Sequence, residues 1–292
     1  MRITRYSRYA EENRKRSARR DILLLGVAII IMLVLVVFVW RGMSAQECRY
    51  DFPNGETPFG VSVAELMDVR IPEDVPAVSK EYSAMLVNFN PECHVPNYVA
   101  WELTKHETSG SISRRNDFCV DDEVEGCATL DDYRGSGYQR GHMMPAGDAK
   151  YDSKAMKETF FLTNMCPQVG ALNAGAWSRL EEKCRQWANV DSAVIIIAGP
   201  VLTDRITDRI GESGVVVPRR FFKVILSPYA DPPRAIGFIM PNAKVPGGMQ
   251  TAAVSVDEVE RVTGLDFFSA LPDDIENMVE SKCEFLYWST LK

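Results

Sequence analysis

The sequence is poor in histidine, with only His94, His106 and His142 among its 292 residues. Zinc enzymes usually gather two or three histidines at one centre, and no H-E-x-x-H pair is present here. A multi-histidine protease or phosphatase centre is therefore excluded. No G-x-S-x-G elbow and no C-x-x-C pair occur either, which removes the usual serine-hydrolase and zinc-ribbon signatures.

One long hydrophobic run lies near the N-terminus. Residues 22–40, ILLLGVAIIIMLVLVVFVW, contain no charge, and a helix of that length spans the roughly 30 Å hydrocarbon layer. A cleaved signal peptide, with SAQ after the run, is the alternative. Basic residues outnumber acidic ones before the run by eight to three. The sequence thus predicts a cytoplasmic tail (1–21), a transmembrane anchor (22–40) and a cell-membrane protein exposed on the extracytoplasmic (periplasmic or extracellular) side.

All seven cysteines follow this run. An oxidising compartment permits disulfides, and Cys119 and Cys127 are a plausible pair because they lie close together in a polar stretch. Seven is an odd number, so at least one cysteine is free or pairs with another chain.

The net charge of the protein is unfavourable for the binding of polyanions. The net charge is −7, and because the N-terminal tail is basic, the rest of the chain is more acidic still. Bulk electrostatics therefore oppose nucleic-acid binding, which would require a local basic cleft and would depend on metal ions and salt.

Hydrophobic patterns indicate a mixed fold after a linker, residues 41–80, rich in proline, glycine and acidic residues. Residues 81–292 form one predicted domain of the α+β class, with a central antiparallel or mixed β-sheet flanked by helices. Helices are predicted at 153–158, 172–190, SVDEVERVTG and LPDDIENMVES. Strands are predicted at YSAMLVNFN, YVAWELT, FFLTN, AVIIIAGP, GVVVP, RFFKVILS and RAIGFIMPN.

Two polar clusters carry the candidate chemistry. The glycine-rich stretch YRGSGYQRGHMMPAGD contains His142, and a histidine in a loop is, taken alone, more often a bystander than a catalyst. The second stretch, TNMCPQVGALNAGAWSRLEE, contains Asn173 and Glu181. Asn173 is either a helix N-cap or an amide-oxygen ligand for a hard cation such as Mg²⁺. A regular helix would place Asn173 and Glu181 about 80° apart.

The segments YRGSGYQRGH, FFLTNMCPQ, LNAGAWSRLEE and AGPVL, in this order, resemble the DNA/RNA non-specific endonuclease family with its ββα-metal fold. The resemblance covers roughly residues 80–285. It implies a Mg²⁺-dependent endonuclease, with Mn²⁺ as a substitute, that hydrolyses DNA and RNA without sequence specificity. It also implies products with 5′-phosphate ends, and some relatives are homodimers.

The resemblance implies roles for individual residues. His142 corresponds to the general base, and Asn173 to the residue that binds magnesium. Glu181 corresponds to the carboxylate that supports the water shell of the metal ion.

Three further residues match the family pattern. Arg140 holds phosphate or shapes the site, and Asn164 matches another active-site asparagine. Within SRRNDFCVDD, Arg114 corresponds to an upstream arginine that contacts phosphate, with Arg115 as the alternative.

Gln139 departs from the family, which usually has aspartate at this position. Glutamine keeps the hydrogen-bonding capacity but loses the charge, so we expect His142 to be oriented or tuned differently. This departure and the acidic net charge favour an alternative, a catalytically impaired binding or envelope protein with the nuclease fold. A third interpretation is a phosphodiesterase or phosphatase that acts on small substrates through a narrower cleft.

Overall fold

The computed structural model describes residue 32 and residues 56–290. Except for residue 32, the predicted anchor at residues 22–40 lies outside the described part of the chain. In that part, none of the helices has the length and apolar character needed to cross a membrane.

One large antiparallel sheet has the order β1-β2-β3-β6-β9-β10-β11, and two small sheets pair β4 with β5 and β7 with β8. The strands are β1 Val78–Glu81, β2 Leu86–Asn90, β3 Val95–Thr104, β4 Gln139–His142, β5 Met165–Gln168, β6 Ala193–Pro200, β7 Arg209–Ile210, β8 Val215–Val216, β9 Arg220–Ser227, β10 Arg234–Pro241 and β11 Ala253–Val254.

The helices lie between and after these strands. They are α1 Val63–Met67, α2 Leu130–Tyr133, α3 Ser153–Glu158, α4 Ser178–Asp191, α5 Val256–Thr263, α6 Asp273–Glu280 and α7 Phe285–Thr290. Short 3₁₀ turns occupy Glu107–Ser109, Ala146–Ala149, Leu162–Asn164 and Met249–Thr251, and a π-helical turn spans Leu172–Trp177.

The large sheet is buried on both faces. On the first face, Trp177, Leu180 and Trp187 pack from the π turn and α4. On the second face, α5 and the segment after it contribute Val259 and Phe267. Because the central strands meet apolar side chains on both sides, their sequences read as unbroken hydrophobic runs. The predicted α+β class with a central antiparallel sheet is confirmed.

Several predicted elements have the expected bounds, including α3, β6 and β9. Helix α5 is capped at its start by the Ser255 side chain and ends at Gly264, whose φ of 73° favours glycine. The strand predicted at FFLTN is wrong, because residues Leu162–Asn164 form a 3₁₀ turn and the strand begins only at Met165. The turn is held by the Asn164 side chain, which bonds to the backbone of Thr159.

The predicted linker, residues 41–80, contains ordered structure where it is described. Ser62 and Glu65 form a capping box at the start of α1. Leu66 and Val69 are buried in the core on the second face of the sheet. The packed unit therefore includes residues 56–80, because the short α1 helix supplies apolar side chains that this face requires.

The six cysteines in the described part of the chain are free thiols, Cys119 and Cys127 among them. The plausible disulfide between these two is therefore not formed. Burial raises the pKa of Cys127 to about 11, so its thiol is protonated and unreactive at neutral pH.

We expect Leu66→Ala to lower the free energy of unfolding by about 2–5 kcal/mol, because it leaves a cavity in a packed core. Glu73→Ala, an exposed change in the same predicted linker, should change it by no more than about 0.5 kcal/mol. Urea unfolding of both variants measures the difference. Equal stabilities would show that residues 56–80 do not belong to the folded unit.

Candidate active site

A ββα unit carries most of the predicted site residues. Strands β4 and β5 pair antiparallel, with Gln139 opposite Gln168 and His142 opposite Met165. The chain then enters the π turn and α4, whose side chains pack on the first face of the large sheet. Trp177 Nε1 donates a hydrogen bond to the His142 carbonyl at 3.1 Å. This bond fixes the end of β4 to the start of the helix.

His142 is almost enclosed, with 6% of its surface exposed. Its ring contacts Phe118 and Phe160, at centroid distances of 5.6 and 5.1 Å. Burial, followed by the charges of Arg114 and Arg140, lowers the pKa of His142 to about 3. Within the described part of the chain, its Nε2 has no hydrogen-bond partner. The imidazole is therefore neutral at physiological pH, and its Nε2 is buried.

The two arginines are held against the same aromatic rings. The guanidinium of Arg140 lies 4.1 Å from the ring centre of Phe118, and that of Arg114 lies 5.3 Å from Phe160. Cation–π contacts of this kind hold a guanidinium in place while its N–H groups remain free to bind an anion.

Arg114 and Arg140 line an open cleft of about 520 Å³, and Asn173 lies on the same cleft. Arg115 does not line it and instead pairs with Asp117 at 3.2 Å. Of the two candidates for the upstream arginine, the geometry therefore favours Arg114. Because the net charge is negative, nucleic-acid binding would require a local basic surface, and the two arginines make this cleft such a surface.

Asn173 lies in the π turn, so it is not the N-cap of a regular helix. Gly175, two residues further on, has φ −107° and ψ −115°, which are not helical angles. The expected separation of about 80° between Asn173 and Glu181 therefore does not apply. The kink at Gly175 separates two helical segments, with Asn173 before it and Glu181 after it.

Gln139 bonds to Asn173 and thereby fixes its amide. Asn173 Nδ2 donates to Gln139 Oε1 at 2.9 Å, which leaves Asn173 Oδ1 as the free acceptor of that side chain. An amide oxygen presented in this way is a ligand that a hard cation accepts. Gln139 was expected to affect His142, but its observed bond is to Asn173.

Glu181 lies in the first turn of α4 and is half-buried. Burial, together with the nearby carboxylate of Asp148 and against the opposing charges of Lys223 and Arg185, raises its pKa to about 7. The carboxyl group is thus close to the balance between its neutral and charged forms. A bound cation would favour the charged form.

A buried charged cluster behind Glu181 was missed by the sequence analysis. Arg185 Nη1 lies 2.8 Å from Asp148 Oδ1, and Trp101 Nε1 donates to Asp148 Oδ2 at 3.1 Å. Lys223 is fully buried, with its ammonium 4.5 Å from the ring centre of Trp177. The signal was present in RFFKVILS, because a lysine inside an otherwise apolar strand must have a buried partner.

Asn164 does not reach the cleft. It is fully buried, and its Oδ1 accepts from the Met144 N–H at 2.9 Å. Its Nδ2 donates to the carbonyls of Met144 and Thr159, both at 2.9 Å. Both Nδ2 hydrogens and one lone pair of Oδ1 are therefore engaged within the fold. In the structure Asn164 positions the segment after His142, and its role as an active-site residue stays a prediction.

The fold and the cleft together point to a class of protein. A neutral histidine, two arginines and a presented amide oxygen are groups suited to the hydrolysis of phosphodiesters, which is the reaction of nucleases.

Comparison with known proteins specifies the family. The model of the family described as DNA/RNA non-specific endonuclease matches residues 62–274. The chain belongs to this family, as its motifs predicted. It is 35% identical over 248 residues to "Nuclease EXOG, mitochondrial" of Danio rerio, covering 79% of this chain and 72% of that protein. It is 33% identical over 249 residues to "Nuclease 1, mitochondrial" of Schizosaccharomyces pombe, covering 78% and 74%.

The fold is also similar to a solved structure described as "Crystal structure of the EndoG/EndoGI complex: Mechanism of EndoG inhibition". The TM-score is 0.63 at 30% sequence identity, and the match covers 66% of this chain and 86% of the other.

The predicted location at a cell membrane, with the nuclease domain outside the cytoplasm, is contradicted. The two similar nucleases are named as mitochondrial, and the described residues include no helix suited to spanning a membrane. Neither a membrane partner nor a homodimer is supported by these comparisons.

The environment of His142 predicts its titration. Because burial and two arginines lower its pKa, we expect its ring to stay neutral between about pH 5 and 8. Proton NMR measures this well in a chain with three histidines. The ring resonance that disappears in His142→Ala should not move over this range in the parent. A midpoint near 6.5, the usual value for histidine, would contradict the buried geometry.

Proposed function

We propose that the protein is a Mg²⁺-dependent endonuclease that hydrolyses phosphodiester bonds of DNA and RNA without sequence specificity. The observation that carries this proposal is the neutral His142, with its unpartnered Nε2, beside two arginines that line a cleft shared with Asn173. Membership of the nuclease family supports it.

Substrate binding is assigned to Arg114 and Arg140. A guanidinium offers paired N–H donors that match two oxygens of one phosphate. These contacts recognise the sugar–phosphate backbone that DNA and RNA share, and backbone contacts carry no sequence information directly. Binding should weaken as salt rises, because phosphate contacts release counterions.

His142 is assigned as the general base. Its Nε2 accepts a proton from water while the water oxygen attacks phosphorus, and the bond to the 3′-oxygen breaks, which leaves a 5′-phosphate. A bound phosphate pairs with Arg114 and Arg140 and so offsets the positive charges that lower the pKa of His142. The base is therefore strengthened when substrate is present.

The residues of the π turn and α4 fit a hard cation. Asn173 would hold it through Oδ1, and Glu181 would accept hydrogen bonds from its water shell. When bound, Mg²⁺, or Mn²⁺ in its place, supplies a Lewis acid that stabilises charge on the leaving 3′-oxygen. Gln139 keeps the Asn173 amide in the required orientation through the 2.9 Å bond.

Incubation of the full-length protein with plasmid DNA and with RNA tests the proposal. We expect cleavage of both with Mg²⁺ and none with EDTA. His142→Ala should lower kcat by about 100-fold or more, the usual loss when a general base is removed. Asn173→Ala should also reduce activity, whereas His106→Ala, outside the cleft, should leave it unchanged.

Each failure in this assay points to a different conclusion. If the parent leaves DNA and RNA intact with every metal tried, the protein is a binding protein with the nuclease fold. Cleavage restricted to small phosphodiesters favours the third interpretation. If the His142→Ala protein is fully active, His142 is not the general base.

The bond between Gln139 and Asn173 predicts a change in metal requirement. Gln139→Ala frees the Asn173 amide, so we expect the Mg²⁺ concentration for half-maximal activity to rise by about tenfold. Gln139→Asp retains an acceptor and adds negative charge near the cation, so it should lower that concentration below the parent value. Titration of activity with Mg²⁺ measures both. If the two variants shift in the same direction, Gln139 does not act through Asn173.

A further inference from the structure

Three carboxyl groups meet on the second face of the large sheet, away from the ββα unit. Asp257 and Glu260 lie on α5, and Glu280 ends α6. One carboxylate oxygen of each lies within 4.8 Å of those of the other two. Asp257 is exposed, Glu260 is half-buried and Glu280 is buried.

Glu280 has no hydrogen-bond partner for one of its oxygens. The residue is 5% exposed, and within the described part of the chain its buried Oε1 makes no hydrogen bond. A buried carboxylate oxygen without a partner is costly. A cation bound among the three carboxyl groups would give this side chain a partner.

The nearby acidic side chains do not relieve the repulsion. Glu260 Oε1 accepts the Phe267 N–H at 2.8 Å, and burial raises the pKa of Glu260 to about 7. Asp266 and Glu276 add further negative charge around Glu260.

The arginines of this region are engaged elsewhere. Arg261 pairs with Glu258 at 2.6 Å, and Arg70 lies 3.5 Å from Asp266. Among the residues that the structure describes, no ion pair involves any of the three carboxylates.

We propose that Asp257, Glu260 and Glu280 bind one divalent cation of the size of Ca²⁺. Calcium accepts several carboxylate ligands in a flexible geometry, whereas Mg²⁺ usually keeps several of its waters and is bound through only one or two carboxylates. Three carboxylates that meet at one point therefore suit calcium better. Water completes its coordination on the exposed side at Asp257.

A cation at this position connects α5 to the end of α6, two helices associated with the second face of the sheet. Its ligands are not residues of the nuclease cleft, so the site is separate from the proposed catalytic metal. Because the three ligands come together only in the folded chain, binding stabilises the native state.

Thermal unfolding of the full-length protein tests the site. The parent for this experiment carries Asn173→Ala, so that calcium at the proposed catalytic position does not contribute. After treatment with chelator and dialysis, CaCl₂ at about 100 times its Kd should raise Tm by about 5 °C or more. Asp257→Asn, an exposed change, and Glu280→Gln should each abolish the rise.

Glu258→Gln is the matched control, since Glu258 lies on α5 and pairs with Arg261 outside the cluster. It should keep the full calcium response. Asp257→Asn in the chain with Asn173 intact should retain nuclease activity with Mg²⁺, which separates this site from the catalytic one. A parent whose Tm is unchanged by millimolar calcium would overturn the proposal. A rise that persists in both Asp257→Asn and Glu280→Gln would overturn it as well, and an equal rise with Mg²⁺ would overturn the assignment of cation size.

Discussion

The active site depends on the need to satisfy buried backbone groups directly after β4. His142, Met143 and Met144 are all buried, and unpaired polar groups there would be costly. Trp177 on the π turn bonds to the His142 carbonyl, Asn164 bonds to both backbone groups of Met144, and the Lys223 ammonium lies 3.4 Å from the Met143 carbonyl. Three separate parts of the fold therefore converge on three consecutive residues. His142, the proposed general base, is positioned by this network, although none of these bonds involves its ring.

The same arrangement explains how an acidic protein presents a surface for polyanions. The net charge of −7 is spread over the whole chain, whereas Arg114 and Arg140 are concentrated on one cleft and held over aromatic rings. A focused positive field of this kind acts over about one Debye length, roughly 8–10 Å, before salt screens it. The cleft is thus attractive at short range, while the remaining surface repels nucleic acid.

The sequence predicted the family, the fold class and most strands, because these depend on local patterns. Motifs in a fixed order indicate the family, and unbroken apolar runs such as β6 indicate buried strands. Ser255 and Gly264 mark the start and the end of helix α5. It did not predict features that depend on contacts distant in the chain. At FFLTN, for example, the Asn164 side chain bonds to Met144, twenty residues earlier, as well as to Thr159 beside the turn.

The partner of Gln139 lies 34 residues away, on a π turn that helical periodicity cannot reveal. The ordered part of the predicted linker depends on an apolar surface that later strands and helices create. Composition favours a linker there, but burial of Leu66 determines the structure.

The kink at Gly175 divides the candidate site between two helical segments. Asn173 precedes the kink, and Glu181 follows it. Because Gly175 has φ −107° and ψ −115°, the backbone angles of this one residue set the direction of the Asn173 side chain relative to that of Glu181. A relative that keeps both side chains but changes the backbone at this position would not keep their arrangement, so the presence of those residues alone is not sufficient to identify an active relative.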